Sequence, residues 1–488
     1  MPTPAKTAAQ PGEKTFFGHP RKLLHFFSLE VWERFSFYGM QTILAFYMYF
    51  EVTKGGLGLD QALALSLVGA YGGAVYLCTI LGAWLADRVL GSERTLFWSA
   101  VIVMLGHIFL AVLAGIPGLA LGLIFVAAGS GGVKANASAL VGALYTEKDE
   151  RRDGGFSIFY LGINIGAVLG PLLTEWLRVE AGFHYAFGAA AIGMAIGLIQ
   201  YSIARRQFPK TLSQVERPLA RDSYGKLIGM TLLAVGLVTA TFLIGWVNAR
   251  NLANVLAGVA AVAAVTYFIV ILTNKNITAV ERQRTLAFIP MFAASTVFFA
   301  LYYQLFTLII VYSENRLDRT VGGWEMPPGW VVSFVSLYVV IFASVFALMW
   351  TRLGDRQPSS PLKFALGLGS IGVAYLLFLP FAGGEPNSTP LLAMAAILLF
   401  FVFGELLVAP IGLSVATKLA PRPFRTQMVA LTFLSLSLGS TISGILAGYY
   451  NPESETPYFA ISGSIVIVLG LVLAVATPAI KKLMSGVR

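Results

Sequence analysis

The chain has 488 residues, 57% of them hydrophobic and 12% charged, with a mean hydropathy of +0.75. Soluble domains carry about 25% charged residues, so composition overrules the several soluble domains that this length would allow and leaves a polytopic membrane protein. The net charge of +10 lies mostly on Lys and Arg of alternate connections, a membrane-orientation pattern rather than a nucleic-acid surface, and the single Cys78 excludes an intramolecular disulfide framework or a cysteine-based metal cluster.

Residues 1–24 read as a polar N-terminal tail with Pro2, Pro4, Pro11 and Pro20. It lacks the pattern of a cleaved signal peptide, so the first apolar helix is expected to act as an uncleaved membrane signal. A spanning helix needs about 20 apolar residues. Fourteen runs qualify: 25–50, 62–86, 95–114, 118–145, 155–177, 183–204, 225–246, 252–273, 286–313, 328–352, 362–383, 390–418, 425–449 and 457–480. Every second connection is basic, which puts both termini in the cytoplasm of a cell-membrane protein. Leu85-Ala86-Asp87-Arg88 follows the second run and Leu353-Gly354-Asp355-Arg356 follows the tenth. The two loops suggest a repeat of six helices, a recognised transporter plan. Their separation exceeds half the chain, which places two inserted helices between the halves. The expected organisation is a tail over 1–24, a six-helix bundle over 25–204, a basic linker with two inserted helices over 205–285, and a second six-helix bundle with a short tail over 286–488.

Charges inside these runs carry the functional signal. Glu30, Glu33 and Arg34 interrupt the first run at i, i+3, i+4 spacing, so they share one helix face. Glu33 lies eleven residues past Lys22, about 16 Å at the helical rise, near mid-bilayer. Lys134 follows the small-residue stretch Ala128-Gly129-Ser130-Gly131-Gly132-Val133, which lets another helix approach closely. Glu405 lies thirteen residues before Lys418, about 20 Å deep, with Pro410 and Gly412 placed to break its helix. Ionised groups at such depth are costly, so they mark a substrate or proton path. Three carboxylates against two cations leave a formal −1, and one proton neutralises the set. Asn164 either lines a cavity or bonds a neighbouring helix. His107, alone on its helix, reads as structural. The glycines before Lys134 lack the spacing of a phosphate-binding loop, and the chain has no His-Glu-x-x-His, Gly-x-Ser-x-Gly or Cys-His ligand set. No catalytic residue and no metal ligand is expected.

These motifs resemble the proton-dependent oligopeptide transporter family of the major facilitator superfamily. The resemblance rests on Gly18-His19-Pro20-Arg21, on Glu30-x-x-Glu33-Arg34-Phe35-Ser36-Phe37-Tyr38-Gly39-Met40, on Val75-Tyr76-Leu77, and on Gly82-x-x-x-Ala86-Asp87-Arg88. It continues through Lys134 with Asn136, Asp153-x-x-Phe156-Ser157-Ile158-Phe159-Tyr160-x-x-Ile163-Asn164-x-Gly166, Gln357-Pro358-Ser359-Ser360-Pro361-x-Lys363-Phe364, and Gly404-Glu405-Leu406-x-x-x-Pro410. The resemblance implies an all-α, major-facilitator-like fold with two six-helix bundles plus two extra helices, fourteen spans in all. It implies a symporter that imports di- and tripeptides by alternating access, with protons as the coupling ion and no cofactor. The partners are then a small peptide and the lipid bilayer, with no nucleic acid, and the protein is expected to be a monomer. Glu30, Glu33 and Arg34 would couple to the proton. Arg34 and Lys134 would meet a peptide carboxylate and Glu405 the amino group. Tyr38, Tyr76 and Asn164 would line the cavity, and Asp87 and Arg88 would form the gating-loop motif.

Departures from the family pattern cluster in the second half. The family usually has an acid before the Gln of its seventh core helix; here Phe298-Phe299-Ala300-Leu301-Tyr302-Tyr303-Gln304 has none. An Asn-Pro pair is replaced by Val335-Ser336, and a Trp before Phe433-Leu434 is Thr432. In the first half, Gln41 stands at a position that is commonly basic. Phe299, Tyr302, Tyr303, Gln304, Val335 and Thr432 therefore define a possible altered second-half pocket. A same-fold carrier for another small solute is the alternative this leaves. An integral-membrane enzyme or a receptor without transport is the more distant one.

Overall fold

The structure is a computed structural model and describes residues 15–146, 149, 151–208, 210–215, 218–220 and 222–487. Residues 1–14 of the expected tail lie outside the described residues. Among the described residues, fifteen α-helices follow in chain order: α1 (Lys22–Tyr49), α2 (Gln61–Leu85), α3 (Ser92–Val112), α4 (Gly115–Gly142), α5 (Arg152–Ala181), α6 (Phe183–Ala204), α7 (Ser223–Leu243), α8 (Leu252–Thr273), α9 (Ala279–Tyr302), α10 (Leu308–Asn315), α11 (Val331–Leu353), α12 (Ser360–Leu376), α13 (Leu391–Leu419), α14 (Arg425–Ala447) and α15 (Glu455–Leu483). Among the described residues, the strands are two hairpins of two-residue strands, Thr15–Phe16 with His19–Pro20 and Thr320–Val321 with Trp324–Glu325. Among the described residues, thirteen segments are long and apolar enough to cross a membrane. The 28-residue α1 is the fourteenth of membrane length, and Glu30, Glu33 and Arg34 are what lower its hydropathy. The fourteen expected runs therefore all become helices.

Two local expectations change. The run expected over 286–313 is a span over Ala279–Asn315 that is interrupted partway along. α9 ends at Tyr302, Tyr303–Phe306 tightens to a 3-10 turn, and Thr307 takes φ −129°, ψ −89° before α10 begins. Short 3-10 segments within a helix often mark hinges. Conversely, α13 runs unbroken through Pro410 and Gly412. Membrane helices accept an internal Pro because neighbouring groups re-satisfy the freed carbonyl.

The chain forms two compact units, residues 1–40 with 78–236 and residues 41–77 with 237–488. In the first, α3 packs along α4 and α6, and α5 along α6. In the second, α12 packs on α13 and α15, and α14 on α8 and α9. The units cut across α1 and α2, so Gln41–Leu77 is grouped with the C-terminal helices. The reason is local: α2 and α14 touch backbone to backbone. A Cβ on Gly69 would lie 2.4 Å from the Gly444 Cα, and Ser437 Oγ donates to the Gly73 carbonyl at 2.8 Å. The first inserted helix, α7, buries no residue at all, as a helix surrounded by lipid would.

Candidate functional site

The first unit gathers four of the five singled-out charges. One face of α1 presents Glu30, Glu33 and Arg34, and α4 presents Lys134. Arg34 Nε donates to Glu30 Oε1 at 2.7 Å and stands 3.3 Å from Glu33 Oε2. Lys134 Nζ is 3.8 Å from Glu33 Oε1 and lies 4.0 Å from the centroid of the Phe37 ring. Both carboxylates are buried, Glu33 completely. Small residues make the assembly possible. Gly166 on α5 lets that helix lie against the charged face: a Cβ there would meet the Val31 carbonyl oxygen at 2.3 Å and Arg34 Cβ at 2.8 Å.

The cluster is paired in charge but not saturated in hydrogen bonds. Among the described residues, both Glu33 oxygens and Lys134 Nζ are buried without a hydrogen-bond partner, and so are Ser130 Oγ and both ring nitrogens of His107. Arg34 and Lys134 are the two cations against the Glu33 carboxylate. A buried polar group without a partner is costly, and this arrangement has hydrogen-bonding capacity left over. Ser130 was not singled out by sequence, and His107 was read as structural. The available signal was spacing: Ser130 lies one turn before Lys134 and so shares its face.

Asn164 Nδ2 donates to the Tyr160 carbonyl of its own helix at 2.9 Å. Tyr38 packs edge-on against Phe37, with ring centroids 5.4 Å apart. Asp87 and Arg88 sit in the π-helical segment Ala86–Leu90 that continues α2, rather than in a loop, and the Arg88 carbonyl accepts from the Leu219 N–H at 3.0 Å. Gly354–Arg356 occupies the corresponding turn after α11.

The second unit assembles the altered pocket around the break in α9. Tyr302 Oη donates to Glu405 Oε2 at 2.7 Å, and among the described residues no cation pairs with Glu405. The Tyr303 and Tyr76 hydroxyls are 2.5 Å apart, and Phe299 stacks on Tyr303 at 5.3 Å between centroids. Gln304 accepts from the Tyr458 hydroxyl at 2.7 Å. Val335 is buried, and the Thr432 hydroxyl is buried without a hydrogen-bond partner among the described residues. Around the break in α9, the pocket thus offers one carboxylate held by a neutral tyrosine. Among the described residues, no three His, Cys, Asp or Glu side chains are placed to hold a metal ion.

A helical membrane protein that gathers Glu30, Glu33, Arg34 and Lys134 away from the ends of their helices has the charge placement of a solute carrier. The comparisons agree. The model of the POT family matches residues 93–467, and the chain belongs to that family. It is 40% identical to a di-/tripeptide transporter of Lactococcus lactis subsp. cremoris, over 98% of this chain and 99% of that one. It also resembles a solved mutant form of a POT peptide transporter in complex with alafosfalin, at 40% identity and a TM-score of 0.91, covering 97% of this chain and 98% of that one. A POT family transporter in complex with 5-aminolevulinic acid aligns at 33% identity and a TM-score of 0.90, over 96% and 98% of the two chains. The chain is therefore an all-α, major-facilitator-like multi-pass membrane transporter, not an enzyme.

Proposed function

We propose that this protein is a proton-coupled symporter that imports di- and tripeptides by alternating access. The observation that carries the reading is the contrast between two charge clusters. One holds Arg34 and Lys134 against Glu30 and Glu33, with hydrogen-bonding capacity left over. The other holds Glu405 with a tyrosine hydroxyl and no cation among the described residues. A free-ended peptide is a zwitterion, and its two ends suit these two clusters. Arg34 and Lys134 bind the carboxylate, and Glu405 binds the amino group. When the carboxylate engages the two cations, Glu30 and Glu33 lose part of their neutralisation and take up a proton more readily. The cargo named for the Lactococcus relative is of the same chemical class.

Tyr38, Tyr76 and Asn164 line the path in this reading, and Asp87 with Arg88 serves the loop that moves during the cycle. The six-helix halves are 25–204 and 286–488, with 205–285 between them. The protein works as a monomer in the cell membrane with both termini in the cytoplasm. A second reading has support from Val335, Thr432 and Tyr303, which leave the second-half pocket without the family's usual acid. In that reading the cargo is another small amino- and carboxyl-bearing solute, the chemistry of the ligand in the 5-aminolevulinic acid complex.

A thermal-shift screen of the detergent-purified protein separates the two, because a ligand that binds the folded form raises its melting temperature. Dialanine and trialanine raise it and their N-acetylated, C-amidated forms do not. A shift with single amino acids or 5-aminolevulinic acid and none with any peptide would overturn the peptide assignment.

A further inference from the structure

The α4 cation of the first unit is held by a ring rather than by hydrogen bonds. The Lys134 side chain is 8% exposed, and its ammonium carries three N–H donors. Among the described residues none of them finds an acceptor, because Nζ is buried without a hydrogen-bond partner. Glu33 Oε1 stands 3.8 Å away, inside ion-pair range and beyond hydrogen-bond range. Arg34 behaves differently and closes on Glu30 at 2.7 Å.

The Phe37 ring is the other neighbour of this ammonium, with its centroid 4.0 Å from Nζ. The sequence explains the placement. Phe37 follows Glu33 by four residues and Arg34 by three, so it stands on the charged face of α1 one turn further along. It is buried, and the Tyr38 ring stands at 85° to it with the centroids 5.4 Å apart. An aromatic face attracts a desolvated ammonium through its quadrupole, and it does so without taking up an N–H. Lys134 is thereby stabilised as a cation while its donors stay available.

We propose that Phe37 is a positioning residue for the transport site: its ring holds the Lys134 ammonium short of a hydrogen-bonded pair with Glu33. The role rests on the reading in which Lys134 meets the peptide carboxylate. Lys134 can then turn its N–H groups to that carboxylate without first breaking bonds to Glu33. Phe37→Leu fills much of the same space and withdraws the ring face. The ammonium closes on Glu33, and the substrate carboxylate has to compete with it.

The test reads the full-length protein in two ways, by melting temperature without ligand and by dialanine counterflow in liposomes. Lys134→Met keeps the aliphatic stem against the ring and removes the charge, so it separates a cation–ring contact from plain packing. Phe37→Leu lowers the melting temperature clearly more in the wild-type background than in Lys134→Met, because only the former loses an ammonium–ring contact. In counterflow, Phe37→Leu raises the dialanine KM about ten-fold, the weight of one desolvated cation–ring contact, while the maximal exchange rate holds. Phe37→Tyr keeps the ring face and rescues both readouts. Equal drops in melting temperature in the two backgrounds would show a ring that only packs, and would overturn the proposal. So would an unchanged KM in Phe37→Leu, or equal losses in Phe37→Leu and Phe37→Tyr. A wild-type protein that exchanges no dialanine would refute the peptide reading instead, and the melting temperatures would still decide whether the ring holds Lys134.

Discussion

Glu33 has no exposed surface, two cations beside it and no hydrogen bond to either oxygen among the described residues. That combination suits a group that changes protonation during a cycle better than one that only braces a helix. Glu33→Gln keeps the shape and cannot titrate, so gradient-driven accumulation should fall to the background of empty liposomes while substrate exchange persists. Counterflow and gradient-driven uptake measured on the same preparation check this, and undiminished accumulation would remove Glu33 from coupling. Glu405 makes a different prediction. If it meets the substrate's amino group, N-acetylation of the peptide and Glu405→Gln should each cost about 2 kcal/mol of binding. The two together should cost little more than either alone, because each deletes the same contact. Titration calorimetry on the four combinations reads this directly; additive losses would make Glu405 structural. Tyr302→Phe removes the hydroxyl that orients Glu405. It should weaken free-amino peptides by about 1–2 kcal/mol and leave N-acetylated ones unaffected.

α2 and α14 are held by glycine. Gly69→Ala would put a Cβ 2.4 Å from backbone atoms of Gly444, which have no flexible end to yield. Overpacking of this kind costs about 1–3 kcal/mol, and the melting temperature and transport rate should both drop. Gly258→Ala on α8 makes the same chemical change where nothing lies within 4 Å, so the melting temperature should hold or rise. Differential scanning fluorimetry of the pair checks the contrast. At this scale the sequence was readable where hydropathy alone decides: all fourteen runs became helices. It was unreadable at the break in α9. Ala300 to Leu308 contains neither Gly nor Pro, so the apolar pattern runs straight through a turn that side-chain contacts of Tyr302, Tyr303 and Gln304 stabilise. Pro410 misled in the opposite direction, because a membrane helix tolerates what would end a soluble one. The charges of the site were legible because each interrupts an apolar run. Ser130 was legible only through its spacing one turn before Lys134, and His107 has no charged neighbour on its own helix to mark what it faces. The grouping of Gln41–Leu77 with the C-terminal helices depends on contacts between segments hundreds of residues apart, which local patterns do not encode.

For the molecule as a whole, a family fold is combined with an altered second-half pocket. Glu30, Glu33, Arg34 and Lys134 fit the family resemblance while Gln41 departs from it, and Tyr303, whose hydroxyl meets Tyr76, stands before Gln304 where the resemblance leads one to expect an acid. In the proposed coupling, fewer titratable groups then remain to carry the proton, which places the burden on Glu30 and Glu33. The most direct measurement is uptake of radiolabelled dialanine into proteoliposomes with the outside more acidic than the inside. Accumulation above the external concentration, abolished by a protonophore and accompanied by proton entry, is the predicted result. Uptake that is indifferent to both the gradient and the protonophore would contradict the account.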